Sequence, residues 1–242
     1  MPQKDKQGHT PKLTVKSLSA QFNQAGAGAV LVFDLDNTIA DIRSLYKQME
    51  ENYAVFLAQH LNITLNEARL EVYDMLHHGY YLQDEAERRY NISQAQSARV
   101  TFDPNRMCYK GLNVVSGLKP ILDNIACDKY IFTNAPSFHA EAVLKQLKLR
   151  DCFTGIAGTD TFSYMRKPEA LCFDSFETHF NLASKEVHFF EDTPENLDAA
   201  YAFKGWHGHL VEGYRASPAY ATGAICPPHI KSRLNDLSDL TR

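Results

Sequence analysis

The sequence predicts an α/β chain, a doubly wound parallel sheet with a small helical domain inserted after the first strand. A short apolar run, Ala29 to Phe33, has the length and composition of a strand buried on both faces. The stretch that follows, about 41–115, carries helical periodicity and no convincing strand. From Leu118 to Val211 strand and helix signals alternate, which is the rhythm of βαβ units with helices on both faces of a sheet.

Residues 1–28 carry Gln, Lys, Gly and Ala without sustained periodicity and read as an N-terminal tail, disordered over at least its first dozen residues. Gly26 and Gly28 precede the first strand instead of following one, which argues against a phosphate loop. Residues 29–40 and 116–242 are then the α/β core, and 41–115 a helical cap. Within the cap, Tyr46, Met49, Tyr53, Phe56, Leu57 and His60 follow helical spacing. Thr64 and Glu67 form a capping box that opens a second helix, stopped near His78 by Gly79. A third helix covers Asp84 to Tyr90, and Ser93 with Gln96 repeats the capping signal before Asp103-Pro104 breaks the pattern.

Beyond the cap the sequence predicts helix Leu118–Ile125, strand Tyr130–Thr133, and helix Phe138–Leu147 with Ser137 as its cap. Strand Gly155–Ala157 follows, then a helix from Pro168 to about Phe180 and strand Val187–Phe190. A helix from Pro194 to about Phe203 leads to strand His209–Val211, with Trp206 packing at the sheet edge. Pro227 to Leu240 reads as one more amphipathic turn or short helix, and there is no internal repeat.

Composition narrows the function classes. With 242 residues, 44% hydrophobic and 22% charged, the chain is neither collagen-like nor wholly disordered. The 25 Lys and Arg against 29 Asp and Glu give a net charge of −4, without the basic face that a nucleic-acid polymer would need. Five scattered cysteines form no C-x-x-C pair, so neither a disulfide framework nor a zinc spacing is present, and a reducing compartment fits. The polar start and the absence of a long apolar run predict a cytoplasmic chain that neither enters a membrane nor carries a secretory leader.

In an open α/β sheet, ligands bind outside the carboxyl ends of the strands. The first strand empties into Asp34-Leu-Asp36-Asn-Thr38, two carboxylates at i and i+2. If the chain leaves the strand at Asp36, one side chain and one backbone carbonyl converge on a cation, and a hard divalent metal is the natural counter-charge. A turn with helix-capping acids is the alternative. Ile131-Phe-Thr133-Asn134 offers a hydroxyl, an amide and backbone N–H groups at a helix start. Arg166-Lys167-Pro168 places a lysine before a helix with proline at its first position, and a solvated loop lysine is the alternative. Val187 to Phe190 runs into Glu191-Asp192-Thr193-Pro194, two acids that could equally serve a helix N-terminus.

The ordered set D-x-D-N-T, hydrophobic-T-N, K-P and apolar strand-E-D resembles the haloacid dehalogenase-like superfamily of aspartate-nucleophile phosphotransferases, over about Ala29 to Val211. The insert after the first motif looks like that family's C1-type helical cap. More narrowly, Phe33-Asp-Leu-Asp-Asn-Thr38, Phe132-Thr-Asn-Ala135, His139 through Val143-Leu144 and Lys167-Pro168 look like the pyrimidine 5'-nucleotidase branch.

The resemblance implies that Asp34 attacks phosphorus to form an aspartyl-phosphate, and that Asp36 protonates the leaving oxygen and later activates water. It implies Mg²⁺ held by Asp34, the Asp36 carbonyl and Asp192, with Glu191 beside them. Thr133 hydroxyl and the Asn134 backbone N–H would hold phosphate oxygens, and Lys167 would neutralise nucleophile and phosphoryl group. Dehalogenases of this fold need neither metal nor the second acid, so Asp36 argues for phosphate chemistry. The expected partner is a small phosphorylated metabolite, a nucleoside 5'-monophosphate foremost, with a sugar phosphate, a β-phosphoglucomutase-like transfer or a silent phosphate-binding module as alternatives.

Uncatalysed monoester hydrolysis calls for up to roughly 10²¹-fold acceleration, supplied mainly by positioning and charge neutralisation. Closure of the cap would exclude water, with hinges near Ala40–Ser44 and Val114–Gly117. His77, His78, His139, His179, His188, His207 and His209 show no metal-ligand register and read as structural or solvated. Tyr80 and Tyr81 read as packing, with stacking on a base as the alternative.

Overall fold

The computed structural model describes residues 17–78, 81–214 and 227–241. Its strands in chain order are β1 (Ala29–Phe33), β2 (Ala40–Asp41), β3 (Asn113–Val114), β4 (Asp128–Phe132), β5 (Gly155–Ala157), β6 (Glu186–Glu191), β7 (His207–Val211) and β8 (Ile230–Leu234). Six of them form one parallel sheet in the order β5-β4-β1-β6-β7-β8. The chain therefore winds outward from β1 in one direction, then returns and winds outward in the other. This makes β1, between β4 and β6, the point where strand order reverses and where ligands bind in such sheets.

Strand β1 has neighbours on both edges and helices on both faces, which is why it reads as an unbroken apolar run. Side chains alternate between the faces, so Leu31 and Phe33 enter one core with Phe190, Val143 and Leu144, while Val30 and Val32 enter the other. That second core is dense in rings, with Phe132, Phe173, Phe176, Phe189 and Trp206 in edge and stacked contact. The first face is covered by α1 (Leu18–Ala25), and the insert's helices follow as α2 (Tyr46–Leu61), α3 (Leu65–His78), α4 (Leu82–Tyr90) and α5 (Gln94–Thr101). Helices α6 (Leu118–Asp123) and α7 (Ser137–Leu147) also lie on the first face, and α8 (Ala170–His179) and α9 (Pro194–Lys204) on the second.

The helical insert closes its own core around Tyr53, Leu57, Ala68, Val72, Met75 and Ala86. The expected capping box is in place, with Glu67 N–H donating to Thr64 Oγ1 and Thr64 N–H to Glu67 Oε2. Both crossings between insert and sheet pass through one antiparallel ribbon, Ala40 opposite Val114 and Asp41 opposite Asn113.

Six expectations need correction. Residues 1–16 of the expected tail lie outside the described residues, but from Leu18 the chain is helix, capped by Ser17 Oγ and docked through buried Phe22. The stretch read as strand-free contributes β2 and β3. The helix expected from Pro168 begins at Ala170 with Glu169 as its cap residue, and Lys167 and Pro168 lie in the preceding turn. Ser137 is the first residue of α7 and Pro136 its cap. The C-terminal segment supplies a strand, β8, then a 3-10 turn. Trp206 packs inside the second core against Phe132, Phe173, Phe176 and Phe189, and not at a sheet edge. Among the described residues no helix is long and apolar enough to cross a membrane. The described cysteines, Cys108, Cys127, Cys152 and Cys172, are free thiols, and Cys226 lies outside the described residues.

Candidate active site

At the carboxyl end of β1 the Asp34 N–H still donates to Phe190 O, so the nucleophile candidate is held by the sheet itself. The chain then turns sharply: Leu35 O accepts from Thr38, Ile39 and Ala40 N–H, and Asn37 sits at φ 65°. Asparagine tolerates that left-handed conformation better than most residues, which accounts for its place in the D-x-D-N-T run. Asp34 is buried and Asp36 stands at the rim, both lining a cavity of about 420 Å³ with Thr133, Asn134, Glu191 and Asp192. The seven residues proposed from sequence thus converge, although Lys167 reaches the site from beneath and does not line the cavity.

Lys167 is fully buried, contrary to the solvated alternative. Its Nζ donates to Asp34 Oδ1 at 2.9 Å, Glu191 Oε2 at 2.7 Å and Phe132 O at 2.7 Å. Burial opposes its charge, but Asp34 and Glu191 outweigh burial and hold the ammonium above the usual lysine range. Burial, joined by the charge of Glu191, pushes Asp34 up to about 7 against the pull of Lys167. Burial likewise pushes Glu191 to about 7, with Asp192 adding to the rise and Lys167 opposing it.

One oxygen each of Asp34, Glu191 and Asp192 lie within 4.8 Å of one another, all three residues buried. Three carboxylates around one ammonium leave an excess of two negative charges when all are ionised, and hard oxygen donors with that excess suit a divalent cation. Within that set Glu191 is the most engaged. Its Oε1 accepts from the Asp192 and Thr193 N–H groups and its Oε2 from Lys167 and Asn196.

Thr133 Oγ1 accepts from Ala135 N–H, which leaves its own proton to donate into the cavity. Gly158 supports this turn from below. A Cβ there would lie 2.3 Å from Ser137 N and 2.4 Å from Ala135 O, so only glycine lets the two backbones approach. The Asn134 side chain does something the sequence did not suggest: Oδ1 accepts from Lys167 N–H at 2.8 Å and Nδ2 donates to Lys167 O at 2.9 Å. It clamps the lysine's backbone.

Three further residues at the site were missed. His139, read as structural or solvated, is buried with Nε2 3.3 Å from Asp36 Oδ1 and Nδ1 3.1 Å from the Tyr109 hydroxyl. Burial, and then the charge of Asp36, push the Tyr109 phenol up to about 12. Arg166 stacks 4.4 Å above the Tyr81 ring and donates to Asp84 and Gln94 of the insert. Tyr81 lines the cavity, while Tyr80 lies outside the described residues. A second cavity of about 360 Å³ adjoins the first, sharing Tyr46, Met49, Tyr81 and Phe102 with it.

A sheet with this strand order and acids at these strand ends defines the class. A family model described as haloacid dehalogenase-like hydrolase matches residues 29–203, and the chain belongs to that family. Among solved structures it is similar to a HAD phosphatase from Thermococcus onnurineus, at 18% identity and TM-score 0.61, over 88% of this chain and 95% of that one. It is also similar to L-2-haloacid dehalogenase from Xanthobacter autotrophicus with chloropropionic acid covalently bound, at 15% identity and TM-score 0.53, over 89% and 97% of the chains. At such identities these likenesses speak for the fold. No curated protein sequence matches the chain.

Proposed function

We propose that this hydrolase is a Mg²⁺-dependent phosphomonoesterase acting through an aspartyl-phosphate on Asp34, with nucleoside 5'-monophosphates as its substrates. The observation that carries the reading is Asp34 at the end of β1, paired with Lys167 Nζ at 2.9 Å, with a second carboxylate, Asp36, on the rim of the same cavity. A departing halide needs no proton, whereas an alkoxide does, so Asp36 favours an ester of phosphate over an organohalide.

In the first half-reaction an Asp34 oxygen bonds to phosphorus as the bond to the ester oxygen breaks, and Asp36 delivers a proton to that oxygen. In the second, Asp36 takes a proton from water, the water oxygen bonds to phosphorus, and Asp34 leaves with inorganic phosphate released. Lys167 neutralises Asp34 and the phosphoryl oxygens, and Thr133 with the Asn134 N–H holds those oxygens in place. Mg²⁺ held by Asp34, Asp192 and the Asp36 carbonyl would supply charge neutralisation on the phosphoryl group.

The aromatic walls support the nucleotide. Tyr46, Tyr81 and Phe102, shared by the two cavities, provide aromatic rings on which a base could stack. The test is phosphate release from a panel of nucleotides, sugar phosphates and pyridoxal phosphate, with Mg²⁺ or EDTA, beside Asp34→Asn. Mg²⁺-dependent release concentrated on UMP and CMP supports the full reading. Preference for another ester discards the nucleotide and keeps the chemistry, and near wild-type release by Asp34→Asn refutes the mechanism.

A further inference from the structure

His139 is a histidine without exposure in the first turn of α7, and it lines neither cavity. Its ring sits against Phe102 at 4.6 Å and Tyr109 at 5.5 Å. Both ring nitrogens are engaged, Nε2 with Asp36 Oδ1 and Nδ1 with the Tyr109 hydroxyl. A carboxylate only accepts, so Nε2 is the donor in its contact with Asp36 Oδ1, and the Tyr109 phenol can donate to Nδ1. With Tyr109 O–H donating to Nδ1, the ring proton sits on Nε2 and is donated to Asp36 Oδ1.

We propose that His139, with its tautomer fixed by Tyr109, is the positioning residue of Asp36, pinning one carboxylate oxygen so that the other meets the leaving group. The inference rests on the acid role given to Asp36 above. Asp36 stands on the tight turn after β1 with about a fifth of its side chain exposed, 21%, and among the described residues His139 Nε2 is the hydrogen-bond donor that its carboxylate meets. The restraint is assembled from three segments: the turn after β1, the start of α7, and the return connection between α5 and β3 that carries Tyr109. General acid catalysis needs the proton aimed at the departing oxygen, so a misaligned Asp36 loses most where departure most needs that proton.

The test compares kcat/KM, which reports leaving-group departure, for phenyl phosphate and for p-nitrophenyl phosphate, whose leaving group departs with little need of a proton. His139→Leu is expected to lose roughly 10- to 100-fold on phenyl phosphate and under about threefold on p-nitrophenyl phosphate. His139→Gln, which places an amide N–H near the Nε2 position, restores most of the loss. Tyr109→Phe keeps the ring contacts and loses the hydroxyl, giving a smaller loss with the same bias, and it carries the test should His139→Leu not fold. Equal losses on the two esters in these variants, or no loss, overturn the inference. Asp36→Asn separates the two levels: if it discriminates between the esters and the His139 and Tyr109 variants do not, the positioning role alone fails. If Asp36→Asn loses equally on both, the acid role of Asp36 fails with it.

Discussion

Arg166 Nη2 donates to Asp84 Oδ1 at 2.5 Å, tying the residue before Lys167 to helix α4 of the insert. The same guanidinium lies over the Tyr81 ring and donates to Gln94 Oε1 of α5 at 3.2 Å, while the Tyr81 hydroxyl accepts from Asn134 Nδ2 at 3.4 Å. Since Asn134 also clamps the backbone of Lys167, the placement of the insert and the placement of the lysine share one set of contacts.

Arg166→Ala is therefore expected to lower kcat/KM by about tenfold, and Arg166→Lys to recover little, because an ammonium replaces neither the stack nor the fork. Asp84 is half-exposed, so the pair adds only about 0.2–1 kcal/mol to folding and the melting temperature should move little. Steady-state kinetics beside thermal melts check both parts, and unchanged kcat/KM in the two variants would remove the coupling.

The carboxylates around Lys167 should divide under substitution. Asp192→Asn is expected to raise the Mg²⁺ concentration for half-activation at least about tenfold, with activity recovered at high Mg²⁺. Glu191→Gln should lose activity that Mg²⁺ does not restore, because Glu191 serves four protein donors, Lys167 among them. Mg²⁺-dependent thermal shifts, read without any substrate, separate the two, and an identical Mg²⁺ response in both variants would contradict this division.

These contacts also mark the limits of the sequence. The ends of β1, β4 and β6 are legible because each carries buried apolar residues, Phe33, Ile131-Phe132 and Phe189-Phe190, up to the point where polar residues follow, and those polar successors stand out. Helix α1 is not, since Leu18 and Phe22 are its main apolar residues and its periodicity is short. Strand β8 reads Ile-Lys-Ser-Arg-Leu, with apolar side chains only at its ends, because it is the edge of the sheet. The roles of His139 and Arg166 depend on partners 103 and 82 residues away, Asp36 and Asp84, and no local pattern encodes such a meeting.

A last prediction concerns stability and a histidine pair on β6 and β7. His209 is buried, with Phe190 stacked on it at 4.5 Å and Phe22 edge-on at 6.0 Å. Its Nδ1 meets Ser232 Oγ at 2.7 Å and its Nε2 meets His188 Nδ1 at 3.0 Å. Burial first, then the neighbouring charges of His188, His207 and Lys231, hold its pKa well below the ordinary value. Burial also lowers His188. In the folded chain these imidazoles stay neutral, while the unfolded chain takes up a proton on each below about pH 6.5. The unfolded state then binds more protons, so the stability they confer is complete above about pH 6.5 and declines as the pH falls toward their folded values. For each such histidine the loss approaches about 1.4 kcal/mol per pH unit within that window. His209→Asn, which cannot titrate and keeps an amide near Ser232 Oγ, should melt lower at pH 7.5 yet lose less on going to pH 5 than the parent chain. Thermal melts across that range decide it, since parallel curves for the two proteins would mean that the buried imidazole does not set the acid limit.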